Sequence, residues 1–184
     1  MVNFVKGLIE EDENEIEETK KSSDIMMLYA DQLFANLIEQ LKTAVQTNHE
    51  AMLEQALDLL NSTAGLIEEE FGKYFCQIMP LLREILDNVE GQTPEQMRLR
   101  AGTIESMGVL IASISDSYTP GVVPETEDGK KILEMVKNIT EALFTLVQKP
   151  FADEDPQELA VKGALAKVAF FLKGEFQIVA PAFL

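Results

Sequence analysis

The chain has 184 residues, of which 32 are acidic and 15 basic, giving a formal net charge of -17. So few cations do not suit nucleic-acid binding, which needs a basic footprint against phosphate; such a surface attracts basic proteins or simply keeps the chain soluble. Hydrophobic residues at 46% are enough for a core, and the single cysteine, Cys76, excludes an intrachain disulfide and fits a reducing compartment.

Residues 1–24 stand apart. Met1 to Ile9 reads as the end of a helix with no signal-peptide pattern, and it runs into the acidic stretch Glu10–Glu18 and then Lys20, Lys21, Ser22 and Ser23. From Asp24 the spacing turns regular. A first helix over Ile25–Gln46 carries Leu33, Leu37, Ile38, Leu41 and Val45 on one stripe. Thr47-Asn48-His49-Glu50 has the form of a capping box and opens a second helix, whose core stripe is Leu53, Leu57, Leu60, Ala64, Ile67 and Phe71, with Gly72 as its stop. A third helix runs from about Lys73 to Val89, with Pro80 inside it to bend it. Thr93-Pro94-Glu95-Gln96 is a second capping box with proline at the first helical position, and the fourth helix reaches about Ser115 through Met97, Ala101, Ile104, Met107, Gly108, Ile111 and Ile114. Tyr118 to Gly129, with Pro120, Gly121 and Pro124, reads as a longer loop. A fifth helix spans Lys130–Gln148. Asp155 caps a sixth, which continues to Lys173 with the stripe Leu159, Gly163, Ala166, Phe170 and Phe171, and a seventh begins after Gly174. No apolar run approaches the ~18 residues of a membrane span, so insertion in a membrane is not expected.

These helices repeat. Phe75-Cys-Gln-Ile-Met-Pro80 and Phe176-Gln-Ile-Val-Ala-Pro181 share the pattern Phe-x4-Pro, and Tyr29 to Phe34 sits at the same phase. The capping signals at Thr47 and Thr93 are about 46 residues apart, and the longer interval to Asp155 absorbs the loop after Tyr118. A period of ~40–47 residues built from two helices is the HEAT or armadillo signature. The predicted fold is therefore all-α, a HEAT-repeat α-solenoid of about three to four repeats curved into a right-handed α–α superhelix. Residues 1–24 form the end of a preceding helix plus an acidic insertion, and 25–71, 72–117 and 128–174 are the repeats, with a partial one at 175–184. Apolar residues at both ends, Val2-Asn3-Phe4-Val5 and Ala180-Pro181-Ala182-Phe183-Leu184, read as a segment of a longer array.

Several stretches resemble the middle of the karyopherin-beta nuclear import receptors, most closely the importin-beta-3 branch. They are Leu66-Ile-Glu-Glu-Glu-Phe71, Phe75-Cys-Gln-Ile-Met-Pro-Leu-Leu82, Leu99-Arg-Ala-Gly-Thr-Ile-Glu-Ser-Met-Gly-Val-Leu-Ile-Ala112, Asp153-Glu-Asp-Pro-Gln157, and Lys173-Gly-Glu-Phe-Gln177 with Pro181. The likeness keeps its order and spacing over about residues 29–184; it does not extend well to 5–24, and Tyr118–Gly129 is less typical. The resemblance implies a receptor that shuttles between cytoplasm and nucleus. It would hold basic protein cargo such as ribosomal proteins or histones on a concave surface, meet nuclear pore proteins, and release cargo when GTP-bound Ran binds. It implies no cofactor. The alternative of a HEAT-repeat scaffold subunit in another multiprotein complex stays open.

Candidate contact residues lie on the second helix, where Glu50, Glu54, Asp58 and Asn61 share a face beside the core stripe. A basic cargo would meet them there; an ordinary solvated face has the same pattern. Asp153, Glu154 and Asp155 suit a helix start, and Arg98 and Arg100 suit pairing with Glu95 or with acids of a neighbouring repeat. No catalytic or metal-binding set emerges. His49 is the single histidine and has no partner for a metal, so a carboxylate bundle enzyme, which needs Glu-x-x-His pairs, does not fit. No nucleophile triad, phosphate loop or dinucleotide fingerprint is present.

Overall fold

Alanine, leucine and glutamate favour helix throughout, and the chain punctuates them with caps rather than with turns that would start strands. The computed structural model describes residues 28–47, 49–67, 71–115, 126–148 and 150–172. The acidic run Glu10–Glu18, the seventh helix after Gly174 and residues 118–125 of the long loop lie outside them. Among the described residues there are six helices and no strand: α1 (28–47), α2 (Glu50–Ile67), α3 (Gly72–Asn88), α4 (Pro94–Ser113), α5 (Glu127–Val147) and α6 (Pro156–Leu172).

Three boundaries differ from the sequence reading, each for a local reason. Thr47 does not cap α2, because it is still inside α1 and its hydroxyl donates to the Thr43 carbonyl at 2.8 Å. His49 takes the cap instead: its Nδ1 accepts from the Met52 N–H at 3.2 Å, and its own N–H closes α1 on the Ala44 carbonyl. Gly72 does not stop α2 but opens α3, directly after Phe71. The loop before α5 ends earlier than Gly129, because Thr126 accepts from the Gly129 N–H at 3.1 Å and so caps a helix beginning at Glu127. Two other starts are as read. Thr93 accepts from the Gln96 N–H ahead of Pro94, and Asp155 accepts from the Gln157 N–H at 2.9 Å ahead of Pro156. The Gln96 side chain reaches back to the Gln92 N–H rather than to that of Thr93, which leaves the capping box half formed. α3 runs on through Pro80 to Asn88.

Buried side chains of all six helices join in one apolar cluster. Within it α3 packs on α4 and α5 on α6, while α2 lies against α4, α4 against α6, and α3 against α5. The first described turns of α1 meet the start of α3, where Phe34 stacks on Tyr74 with ring centroids 4.3 Å apart and meets Phe71 edge-on at 5.6 Å. The helices thus fall into two rows, α1-α3-α5 and α2-α4-α6. α4 and α6 run in the same direction, since Arg100 meets Gln157 near their starts and Gly108 meets Ala164 about two turns further along both. At Gly108 a Cβ would sit 3.0 Å from the Ala164 Cα, so the missing side chain is what lets the two helices approach.

α4 is covered on three sides, by α2, α3 and α6. It tolerates this with two polar residues inside because Thr103 donates to the Leu99 carbonyl at 2.7 Å and Ser106 to the Gly102 carbonyl at 2.8 Å. Each buried hydroxyl is satisfied within its own helix and asks nothing of its neighbours.

Candidate protein-binding surfaces

With the caps placed at His49, Thr93 and Asp155, the even-numbered helices come into register, and the α2-to-α4 step shortens to about 44 residues. Leu53, Leu57, Leu60 and Ala64 of α2 then match Met97, Ala101, Ile104 and Gly108 of α4, and these match Leu159, Gly163, Ala166 and Phe170 of α6. In α2 the four are buried; in α4 three are buried and Met97 half-buried. In α6 the equivalent four are all exposed, Leu159 at 78% and Phe170 at 61%. The stripe read from the sequence as the α6 core is therefore, Phe171 excepted, its outer face. The face that α6 actually buries carries Gln157, Val161, Ala164, Val168, Phe171 and Leu172. α6 is apolar nearly all round, so its periodicity could not choose between the two.

The candidate contact residues of α2 divide in the same register. Glu54 and Asp58 are exposed, and Glu50 and Asn61 are half-buried. Glu54 and Asn61 occupy the positions of Arg98 and Glu105 in α4 and of Ala160 and Lys167 in α6. The acidic ridge of α2 is thus met by cations on its neighbours, and Arg98 itself pairs with Glu95 at 3.2 Å. Asp58 lies further round, where Gly102 and Ala164 stand on the other two helices. Asn61 has a second peculiarity: its Oδ1 is buried with no hydrogen-bond partner. An amide oxygen in that state carries a desolvation cost of about 1–3 kcal/mol.

The most developed polar arrangement centres on Arg100, which does not pair with a carboxylate. Its Nη1 donates to the carbonyls of Leu86, at 2.5 Å, and Val89, and its Nε donates to Gln157 Oε1 at 2.7 Å. One guanidinium therefore closes the carboxyl end of α3 and reaches the first turn of α6. Gln157 is held in turn by Asp155 Oδ1, 3.2 Å from its Nε2. Burial pushes the Arg100 pKa down, and the Asp87 and Asp155 carboxylates oppose that shift. Gly91 makes room for the side chain: it has φ of 75°, and a Cβ there would sit 2.8 Å from Arg100 Cδ. The sequence marked Arg100 as structural but gave no sign that its partners would be carbonyls.

Beside Arg100 a groove of about 560 Å³ opens between the carboxyl-terminal half of α3 and α5. Arg83, Asp87, Glu90, Asn138 and Glu141 line it over a floor that includes Leu86 and Val89. Arg83 and Asp87 bridge each other at 3.1 Å, so the groove offers both signs of charge and no converging donor set. Cys76 is half-buried against the core, and burial followed by the Asp128 carboxylate pushes its thiol pKa up, away from a reactive thiolate. Among the described residues no group of three or more His, Cys, Asp or Glu is placed to hold a metal ion, and no helix is long and apolar enough to cross a membrane.

No protein-family model matches the chain, and no solved structure matches it.

Proposed function

We propose that the chain works as a HEAT-type array in a nuclear transport receptor of the karyopherin-beta kind, holding basic protein cargo and passing nuclear pores under the control of GTP-bound Ran. The observation that supports this reading best is the two-row packing. Odd helices pack on odd, even on even, and each odd helix from α3 on packs on the even one after it. That is how a solenoid of helical pairs is assembled. The sequence words from Leu66 to Ala112 and from Asp153 to Pro181 add the resemblance to the receptors. A net charge of -17 favours basic partners by steering and by complementarity.

The cargo surface under this reading is the α2 ridge of Glu50, Glu54 and Asp58, with Asn61 beside it. Binding of a histone or ribosomal protein, measured by titration calorimetry with and without GTP-bound Ran, tests it. The expected result is cargo affinity that weakens when Ran-GTP is added and when Glu50, Glu54 and Asp58 are all changed to Lys. Affinity indifferent to the triple substitution removes the ridge as the contact, and no response to Ran-GTP removes the receptor reading. One observation favours the second reading, a HEAT scaffold in another complex: Arg98 and Lys167 interrupt the acidic ridge on the neighbouring helices.

A further inference from the structure

We propose that the outer face of α6, formed by Leu159, Gly163, Ala166 and Phe170, seats an amphipathic α-helix of another polypeptide, laid parallel to α6 as the next member of the α2-α4-α6 row. The proposal stands on the row itself and not on the cargo reading above. These four residues repeat, position for position, the residues with which α2 faces α4 and α4 faces α6. In α4 that face receives α6, and it does so at close range because Gly108 carries no side chain. α6 has its small residues in the middle of the face: Gly163 has nothing within 4 Å of a Cβ position, and Ala166 is also exposed. Close approach of a second backbone is open there.

The two ends of the row differ in a way that singles out α6. On α2 the outward face, equivalent to the side of α6 that packs on α4, shows Ala51, Gln55, Asp58 and Ser62, all exposed. A solenoid closes its row with such a small or polar face. The outward face of α6 is apolar over about four turns, which a closing helix does not show.

The same comparison argues against a second copy as the occupant. Continuing the row with another copy would place its α2 on α6, and Asp58 would then stand against Phe170 as Ala164 stands against Gly108. That buries a carboxylate on an aromatic ring. Two chains of charge -17 also repel. The helix that fits carries an apolar stripe with Gly or Ala at the level of Phe170. The side of α6 that packs on α4, with Val161, Ala164 and Val168, has that chemistry.

A fluorescein-labelled peptide of residues 153–172 carrying Leu159→Gln and Phe170→Gln is therefore the probe, titrated against the full chain by anisotropy. Saturable binding is expected. Leu159→Glu and Gly163→Leu in the chain should each weaken it at least about tenfold, with unchanged far-UV circular dichroism, since both positions are exposed. Three results overturn the proposal. One is no saturable binding. Another is equal binding to both variants, which is what displacement of the chain's own α6 from α4 would give. The last is sedimentation showing that the unmodified chain dimerises and that Leu159→Glu makes it monomeric, which identifies the occupant as a second copy.

Discussion

α4 and α6 are the same helix in two situations. Both start at a polar cap followed by proline, at Thr93 and Asp155, and both carry small or apolar residues at matching positions. In α4 those positions are covered by α6; in α6 they face outward. The difference teaches that an apolar stripe states what a helix can bury, while the neighbour that arrives decides what it does bury. The widest gap between the two is at Ile104 and its equivalent, Ala166, with the bulky Leu159 one turn and more away on the same outer face. Ile104→Ala removes a side chain that is 0% exposed among close-packed neighbours and should cost about 2–5 kcal/mol. Leu159→Ala should stay within about 0.5 kcal/mol, as exposed surface changes do. Urea unfolding of the two variants measures both, and similar losses would break the comparison.

The polar counterpart comes next in size. Arg100 and Lys162 hold equivalent positions, counted from the caps. Arg100 joins α3 to α6 through two backbone carbonyls and Gln157, whereas Lys162 reaches only Glu158 of its own helix, at 2.6 Å, with both side chains about half exposed or more. Arg100→Met keeps much of the stem but strands the Leu86 and Val89 carbonyls, so about 2–3 kcal/mol should be lost. Lys162→Met should change stability by no more than about 0.5 kcal/mol, the usual worth of such a pair within a helix. Arg100→Lys should recover only part of the loss, because a single ammonium does not reproduce the planar fork. Hydrogen exchange at the carboxyl end of α3 should rise in the Arg100 variants and stay unchanged in Lys162→Met.

A smaller effect should change sign between the two helices. Gly163→Ala adds a methyl into open space and replaces glycine in a helix interior, so it should stabilise by about 0.5–1 kcal/mol. Gly108→Ala makes the same gain in helix propensity but drives Cβ to 3.0 Å from the Ala164 Cα, a backbone atom that cannot yield without moving α6. Overpacking of that kind costs about 1–3 kcal/mol, so the net result should be destabilising. Thermal melts of the pair decide it: two stabilising substitutions would mean that α4 and α6 sit further apart than the structure places them.

Much of this was legible in the sequence, and the failures share one cause. The six described helices and their order follow from apolar spacing and caps. The α2 stripe from Leu53 to Phe71 is buried throughout. The cap of α2 was misplaced because Thr47 and His49 are both able to accept a backbone N–H, and Thr47 is already committed to the Thr43 carbonyl inside α1. The buried face of α6 was misread because Leu159, Gly163, Ala166 and Phe170 do match the stripes of α2 and α4; the sequence carries the seat but not the presence of its occupant. The Arg100 arrangement was hidden for a similar reason. Its acceptors are backbone carbonyls, which every residue possesses, and its route past Gly91 depends on a positive φ that sequence only hints at.

The other row supplies the mildest contrast, because its first seam is ionic at the rim where the α4–α6 seam is neutral. Asp31 of α1 accepts from the Tyr74 hydroxyl and bridges Lys73 Nζ at 2.9 Å, and both ends of the ion pair are well exposed. The Tyr74 hydroxyl, followed by Lys73, holds the Asp31 carboxyl below its ordinary pKa, while burial and then Asp31 raise that of Tyr74. The hydrogen bond from Asp31 leads the causes that raise Lys73. A lowered carboxyl pKa means that this contribution is present above the unfolded value of about 4 and is lost as pH falls through the folded one. The raised Tyr74 and Lys73 values give the opposite sign: their contributions hold below about pH 10 and fade as pH rises through the folded values. The seam should therefore be insensitive across neutral pH and weaken at both extremes. Asp31→Asn should flatten the acid side of the stability profile slightly and leave the α4–α6 seam untouched, since no carboxylate bonds to Arg100 directly there. Unfolding midpoints at pH 3 and pH 7 measure it. An acid-side loss as steep in Asp31→Asn as in the unmodified chain would place the acid sensitivity elsewhere, and the Asp155–Gln157–Arg100 chain would be the next group to test.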